Sequence, residues 1–241
     1  MMKFINKKQL VFMLSIATTF IVFTGIGTMT HEYAHFLAAK YYGLNPKLCH
    51  ACVYYDIDNI YEKLDKIAEK YIYEIQNNLN FADKKEYQNY QNTIIESSLI
   101  ISMCGPLQTM LFGTIGLVIL HVRKIKLHLK ELKIIDWFAI FLSLFWSRQL
   151  MNLIVSVTDR ILFGGSNYFG GDEAKISSLL SLPSGTLSIA TGIIGFIICY
   201  HIVFKVVPID YRYSFFIAGL IGSAIGFILW MDIIGPLIFP L

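Results

Sequence analysis

The sequence predicts an all-α polytopic membrane protein with about five transmembrane helices, on the basis of its composition and its apolar stretches. Of its 241 residues, 55% are hydrophobic and 15% are charged, whereas about a quarter of the residues of a soluble domain are charged. The mean hydropathy of +0.56 and apolar runs of about 20 residues indicate a lipid bilayer as the surroundings, and we expect the plasma membrane. The net charge of +3 is small and tied to particular loops, so no nucleic-acid partner is expected.

The first apolar run, Leu10 to Thr30, follows Lys3, Lys7 and Lys8 and so resembles a signal peptide. We expect it to remain uncleaved, because it is longer than the apolar core of a signal peptide and leads directly into the polar residues that begin at His31. The helix is expected to continue past this run and to end at Gly43.

Four more apolar stretches are expected to cross the membrane. They cover residues 94 to 120, 134 to 157, 187 to 204 and 214 to 234. The second span contains Pro106, which opens the backbone hydrogen-bond ladder, and Gly105, which lets a neighbouring helix approach closely. Close helix packing is also expected at the glycines of the last two spans: Gly192, Gly195, Gly219, Gly222 and Gly226.

The polar region 44–93 separates the first two spans, and we interpret it as a helical insertion in a single membrane domain, 1–241. From Ile57 to Leu79, apolar residues recur every three or four positions, which predicts an amphipathic helix. This helix lies on the bilayer, covers the mouth of a site at the end of the first helix, or packs as a solvated hairpin on its own neighbours. A second polar stretch, Lys84 to Asn92, leads into the next span.

The pentapeptide His31-Glu-Tyr-Ala-His35 closes the first apolar run. Residues four apart lie on one face of a helix, so His31 and His35 can bind one cation while Glu32 lies beside it. Catalytic zinc sites keep one position open for water, and a neighbouring carboxylate can take a proton from that water. The alternative is a surface or packing pair, but polar groups at the edge of an apolar span are costly unless paired or bound to metal. We therefore predict a Zn2+ site with Glu32 as the base.

Zinc bound by two histidines and water lacks one protein ligand. Asp159, Asp172 and Glu173 are the candidates, and we favour Asp172, with Asp159 as the fallback. Asp172 follows a glycine-rich segment, 163 to 171, and stands at the expected start of a short helix that ends before Pro183. Its side chain can therefore turn towards another helix, although an N-cap is the alternative role for an aspartate at this position.

Arg148, Gln149 and Asn152 interrupt the third span. Polar groups at such depth usually face the interior of a bundle or a wet cavity. Since Arg148 and Asn152 share one face of the helix, we expect them to bind the substrate of the site.

Residues 31 to 43, HEYAHFLAAKYYG, resemble the active-site helix of the site-2 proteases, a family of intramembrane zinc metalloproteases. Cys104-Gly-Pro-Leu resembles the Gly-Pro element of that family, and Asn152 with a downstream aspartate is similar to its third motif. The resemblance implies a catalytic core of three spans in which His31, His35 and an aspartate bind zinc and Glu32 is the base. It also implies a metalloendopeptidase that hydrolyses a peptide bond in or near a transmembrane segment of a membrane-protein substrate, which must first unwind locally.

Basic residues indicate the orientation of the chain in the membrane. They cluster at 3–8, 121–133 and 205–212, which assigns these segments to the cytoplasmic side. His31 and Asp172 then both lie on the outer side, as they must if they bind one ion. The site-2 proteases usually keep this motif towards the cytoplasm, so the charge rule and the resemblance give opposite orientations.

Three other functions stay open on the sequence alone. A membrane protease of the other HExxH type would use Glu173 as its third ligand and cut outside the bilayer. A transporter-like or bacteriocin-immunity-like protein would bind metal without hydrolysis. A redox sensor would respond through Cys49 and Cys52, a CxxC that can equally be half a metal site or two unrelated thiols.

Overall fold

The computed structural model describes residues 7–123, 132–164 and 169–239, without the side chains of Arg160 and Phe163. Its α-helices are α1 (Lys7–Tyr41), α2 (Asp58–Lys70), α3 (Ile72–Gln76), α4 (Lys84–Val122), α5 (Ile134–Ser143), α6 (Ser147–Phe163), α7 (Gly171–Leu179), α8 (Thr186–His201), α9 (Ile209–Ile228) and α10 (Gly235–Ile238). Strands β1 (Lys47–Leu48) and β2 (Val53–Tyr54) form an antiparallel hairpin. A 3-10 turn, Leu144–Trp146, joins α5 to α6, and π-helical turns, Ile202–Val206 and Leu229–Ile234, follow α8 and α9.

Five helical segments are long and apolar enough to cross a membrane. They are Lys7–Tyr41, Lys84–Val122, Ile134–Asp159, Thr186–Val206 and Ile209–Ile238. The predicted all-α, multi-pass membrane class is therefore confirmed. The membrane-spanning lengths follow from uninterrupted apolar sequence, since a helix satisfies its own backbone hydrogen bonds inside lipid.

The polar region between α1 and α4 differs from its prediction in the length of the amphipathic helix. The stretch from Lys84 to Asn92 leads into the second span, as predicted, and forms the first turns of α4. The amphipathic helix ends at Lys70, because Tyr71 leaves the helical conformation and stacks on Phe81 at 4.8 Å between ring centroids. That contact and the 3.0 Å ion pair between Lys70 and Asp83 fold α2 back against α4, as a hairpin packed on its own neighbours.

Two groups of contacts build the core of the bundle. Aromatic rings from α1, α5 and α9 meet at Phe20, Phe141 and Phe215, with centroid distances of 5.0 to 6.1 Å. Glycines bring helices together elsewhere, as predicted: a Cβ on Gly222 would lie 2.5 Å from the carbonyl oxygen of Ala17. Small residues allow this approach because backbones can then touch without an intervening side chain.

The bundle has two distinguishable ends. The ring of Phe12 on α1 packs at a tilt against Trp137 of α5 and Tyr211 of α9, so the residues flanked by basic segments lie together. At the other end the Trp230 indole N–H donates to the carbonyl of His50, at 2.8 Å. Both the HExxH end of α1 and the hairpin therefore lie opposite the basic segments. Several of the predicted basic and glycine positions lie outside the described residues: Lys3, Lys124, Lys126, Lys130 and Gly165.

Candidate metal centre

The HExxH residues lie in the last turns of α1, on the side that faces the bundle. The side chains of His31, Glu32 and His35 are all buried, with residue exposures of 2%, 6% and 7%. As a helix, the run from Leu10 to Thr30 is about 31 Å long, which matches the ~30 Å hydrocarbon thickness of a bilayer. A bilayer whose hydrocarbon layer covers this run would have the three side chains at its edge.

Three ligand atoms from two distant parts of the chain converge on one point. Nε2 of His31 lies 3.0 Å from Oδ2 of Asp172, Nε2 of His35 lies 3.2 Å from the same oxygen, and the two nitrogens are 3.2 Å apart. Ligands about 2.0–2.1 Å from a tetrahedral zinc ion are about 3.3–3.4 Å from one another. The observed triangle is thus close to one face of a zinc tetrahedron.

The other ring nitrogens define which atoms carry protons. The hydroxyl of Thr109 donates to the carbonyl of Gly105 at 2.8 Å, so it must accept at its 3.1 Å contact with Nδ1 of His31. Nδ1 of His35 lies 2.6 Å from the carbonyl oxygen of Ile101, which can only accept. Both neutral rings therefore keep the proton on Nδ1 and present a lone pair on Nε2.

Three lone-pair-bearing atoms at about 3 Å with no proton between them repel one another unless a cation lies among them. The arrangement of these three atoms therefore suits a metal ion. His31, His35 and Asp172 are the one group of side chains in the described parts of the chain that could hold such an ion. Two imidazoles and one carboxylate are a ligand set of catalytic zinc sites.

Gly105 of α4 makes room for the two imidazoles. A Cβ at this position would clash with Nε2 of both His31 and His35, so the site requires a residue without a side chain. Pro106 follows within the continuous helix α4 and removes the donor that would otherwise bond the carbonyl of Ser102, a residue that lines the cavity beside the ligands.

Asp172 reaches the histidines from α7. Gly171 has a φ of +75°, a conformation that glycine adopts without strain, and Gly170 occupies the N-cap position. Asp172 is therefore not the N-cap.

Glu173 points the other way and is 2% exposed. The amide nitrogen of Asn152 on α6 donates to both of its carboxylate oxygens at 3.3 Å, and burial raises the pKa of the Glu173 carboxyl. The amide group of Asn152, which was predicted to bind substrate, thus connects α7 to α6. Glu173 does not join the group of metal-ligating atoms.

Arg148 lies one helical turn before Asn152 on α6, and its Nη2 is 3.9 Å from Oε1 of Glu32. Both side chains line a cavity of about 330 Å³ that also contains the three ligand residues. Gln149 is 1% exposed, and its amide atoms have no hydrogen-bond partner in the described structure. Asp159, the fallback ligand, is exposed on α6 and lies outside the group.

Cys49 and Cys52 form a disulfide at the turn of the β1–β2 hairpin, so they are not two unrelated thiols. Cys49 is buried, whereas Cys52 lines the cavity together with Tyr55. The Tyr55 hydroxyl lies 3.5 Å from Nζ of Lys175 on α7. The hairpin is thus one wall of the site.

Sequence reasoning missed the residues that orient the ligands. Thr109 and the carbonyl of Ile101 lie on α4, and no spacing rule relates them to a motif on α1. The signal that could have found Thr109 is its position four residues after Gly105, which places both on one face of a helix. Comparisons of the chain with protein families, with curated proteins and with solved structures found no match.

Proposed function

We propose that the chain is a zinc-dependent endopeptidase of the membrane, with a site-2-protease-like core, that hydrolyses a peptide bond in or near a transmembrane segment of another membrane protein. The observation that carries the proposal is the convergence of two imidazole lone pairs and one carboxylate beside the buried carboxylate of Glu32. The core would comprise α1, α4 and the third span, with Asp172 supplied by α7.

The roles follow from the contacts. His31, His35 and Asp172 hold the ion, and Thr109 and the Ile101 carbonyl hold the two rings in the required tautomer. A bound zinc ion would supply Lewis acidity towards water and the scissile carbonyl. Glu32 accepts the proton that water loses when it adds to the carbonyl, and returns that proton to the departing amine.

The position of the site favours a bond near a membrane surface over one at the bilayer centre. Glu32 directly follows an apolar length of about 31 Å, so a substrate helix meets it where lipid gives way to water. The ends of transmembrane helices expose carbonyls there at a lower cost, since water can replace the lost backbone hydrogen bonds.

The metal is tested by elemental analysis of the purified protein, with Asp172→Ala compared with Asp159→Ala as the matched control. About one zinc per chain is expected in the wild type, with loss in His35→Ala and Asp172→Ala and retention in Asp159→Ala. Metal-free, folded wild-type protein from metal-replete cells would contradict the proposal.

Hydrolysis is tested by comparing membrane-protein termini in cells that express the wild type or Glu32→Gln. The variant should keep its zinc and lose the cleavage products, because Glu32 is the base and not a ligand. Identical termini with full zinc occupancy would instead support a metal-binding membrane protein without proteolytic activity.

A further inference from the structure

Arg148 is the cationic group that the described structure places deepest in the cavity beside the metal-ligating atoms. Its side chain is 30% exposed and faces the cavity. The second cation of the lining, Lys175, is exposed at the mouth, with Nζ 3.5 Å from the Tyr55 hydroxyl. The two cations therefore differ in depth and in access to water.

The donors of Arg148 are not all satisfied among the described residues. A guanidinium has five N–H donors. The Nε of Arg148 is buried without a hydrogen-bond partner, and the 3.9 Å separation from Glu32 is too long for a hydrogen bond. A partly buried cation with an unsatisfied donor is costly in a membrane bundle, so its position next to the reacting groups indicates a ligand that supplies oxygen acceptors.

Asn152, one turn further along α6, is not available for this task. Its amide nitrogen already donates to both oxygens of Glu173 at 3.3 Å. Of the two polar residues that share this face of the third span, Asn152 positions α7 and Arg148 faces the substrate space.

We propose that Arg148 is a catalytic residue that donates hydrogen bonds to the carbonyl oxygen of the scissile peptide as that oxygen becomes negative, an inference that rests on the proposed endopeptidase function. When water adds, the new C–O bond forms, the π bond of the carbonyl breaks, and its electron pair moves to the oxygen facing Arg148. Glu32 takes the proton of the water. When the C–N bond then breaks, the carbonyl re-forms and Glu32 protonates the leaving amine, while Arg148 keeps its proton throughout.

Charge-assisted hydrogen bonds from arginine to an oxyanion are strong and can be bidentate. Preorganised donors of this kind, aimed at an oxygen that gains charge, are usually the largest single contribution to acyl-transfer catalysis. The same donors bind a stable anion in the absence of any substrate, which makes the role measurable without knowing the natural substrate.

The test uses the Co2+-loaded full-length protein in detergent, with acetate as the anion and the visible cobalt spectrum as the readout. We expect Arg148→Gln to weaken acetate binding about tenfold or more and Arg148→Lys to retain part of the affinity. Lys175→Gln, which removes a cation from the mouth, should change the affinity by less than about twofold because that charge is solvated.

A Glu32→Gln background separates direct contact from an effect through Glu32. If Arg148 contacts the anion, Arg148→Gln still weakens acetate binding about tenfold when Glu32 is already replaced. If Arg148 merely orients Glu32, the loss disappears in that background and the inference is overturned. An unchanged acetate affinity in cobalt-loaded, folded Arg148→Gln or Arg148→Lys also overturns it, whereas failure of the wild type to bind cobalt or zinc overturns the proposed function itself.

Discussion

At the scale of single residues, the geometry of the candidate metal centre depends on contacts that fix ring orientation and on one missing side chain. Thr109 and the Ile101 carbonyl each hold an Nδ1 atom. The two imidazole rings are therefore preorganised, with both Nε2 atoms facing the same point. Such outer partners typically change metal affinity about 10–100-fold when they are removed. Gly105 contributes by leaving space, since its α-carbon faces both rings.

Replacing Gly105 with alanine should abolish zinc binding while the protein still folds. The added methyl group would occupy the place of the two Nε2 atoms, so at least one imidazole must rotate away. Elemental analysis and size-exclusion chromatography measure the two properties. Gly27→Ala is the matched control, because its added Cβ would lie 3.7 Å from the Phe145 ring, an ordinary contact, and full zinc occupancy in Gly105→Ala would contradict the assigned geometry.

At the scale of secondary-structure elements, α7 is a short helix whose placement decides whether the site is complete. Its Asp172 meets α1, its Glu173 meets α6, and its Lys175 meets the hairpin. These three contacts, each with a different element, hold α7 in place. The helix has nine residues and is too short to be stable by itself.

Asn152→Leu should lower both the thermal stability and the zinc content of the detergent-solubilised protein. It leaves the buried Glu173 carboxylate without its donor, and an unsatisfied charged group costs roughly 1.5–3 kcal/mol or more. The paired replacement Asn152→Leu with Glu173→Met should recover much of the stability, because no polar group is then left unpaired. The melting temperature is the measurement, and equal melting temperatures for the wild type and Asn152→Leu would show that the contact does not hold α7.

At the scale of the whole molecule, the five spans bring the motif end of α1, the hairpin and α7 to one end of the bundle and the described parts of the basic segments to the other. The Trp230–His50 and Phe12–Tyr211 contacts define these ends. The Cys49–Cys52 disulfide lies at the same end as the site, and disulfides persist in oxidising compartments. Both the basic segments and the disulfide therefore favour a site on the outer side, in contrast to the usual orientation of the site-2 proteases.

Cysteine labelling of spheroplasts with a membrane-impermeant maleimide tests this orientation. In a background without the four native cysteines, Asn80→Cys in the loop before α4 should be labelled in intact spheroplasts. Asp210→Cys, at the opposite end and equally exposed, should be labelled only after lysis. The reverse pattern would put the site on the cytoplasmic side and contradict the orientation drawn from the charges.

The sequence by itself determined the features that depend on local chain chemistry. Apolar length defined the five spans, and four-residue spacing put His31 and His35 on one face of α1. Only the tertiary structure showed that Asp172 and not Asp159 contacts the two histidines, because Asp172 is 137 residues from His35 along the chain and local patterns carry no information about such a distance. The partners of Asn152, Arg148 and Thr109 were decided in the same way, by which helices pack together around the bundle rather than by spacing along any one of them.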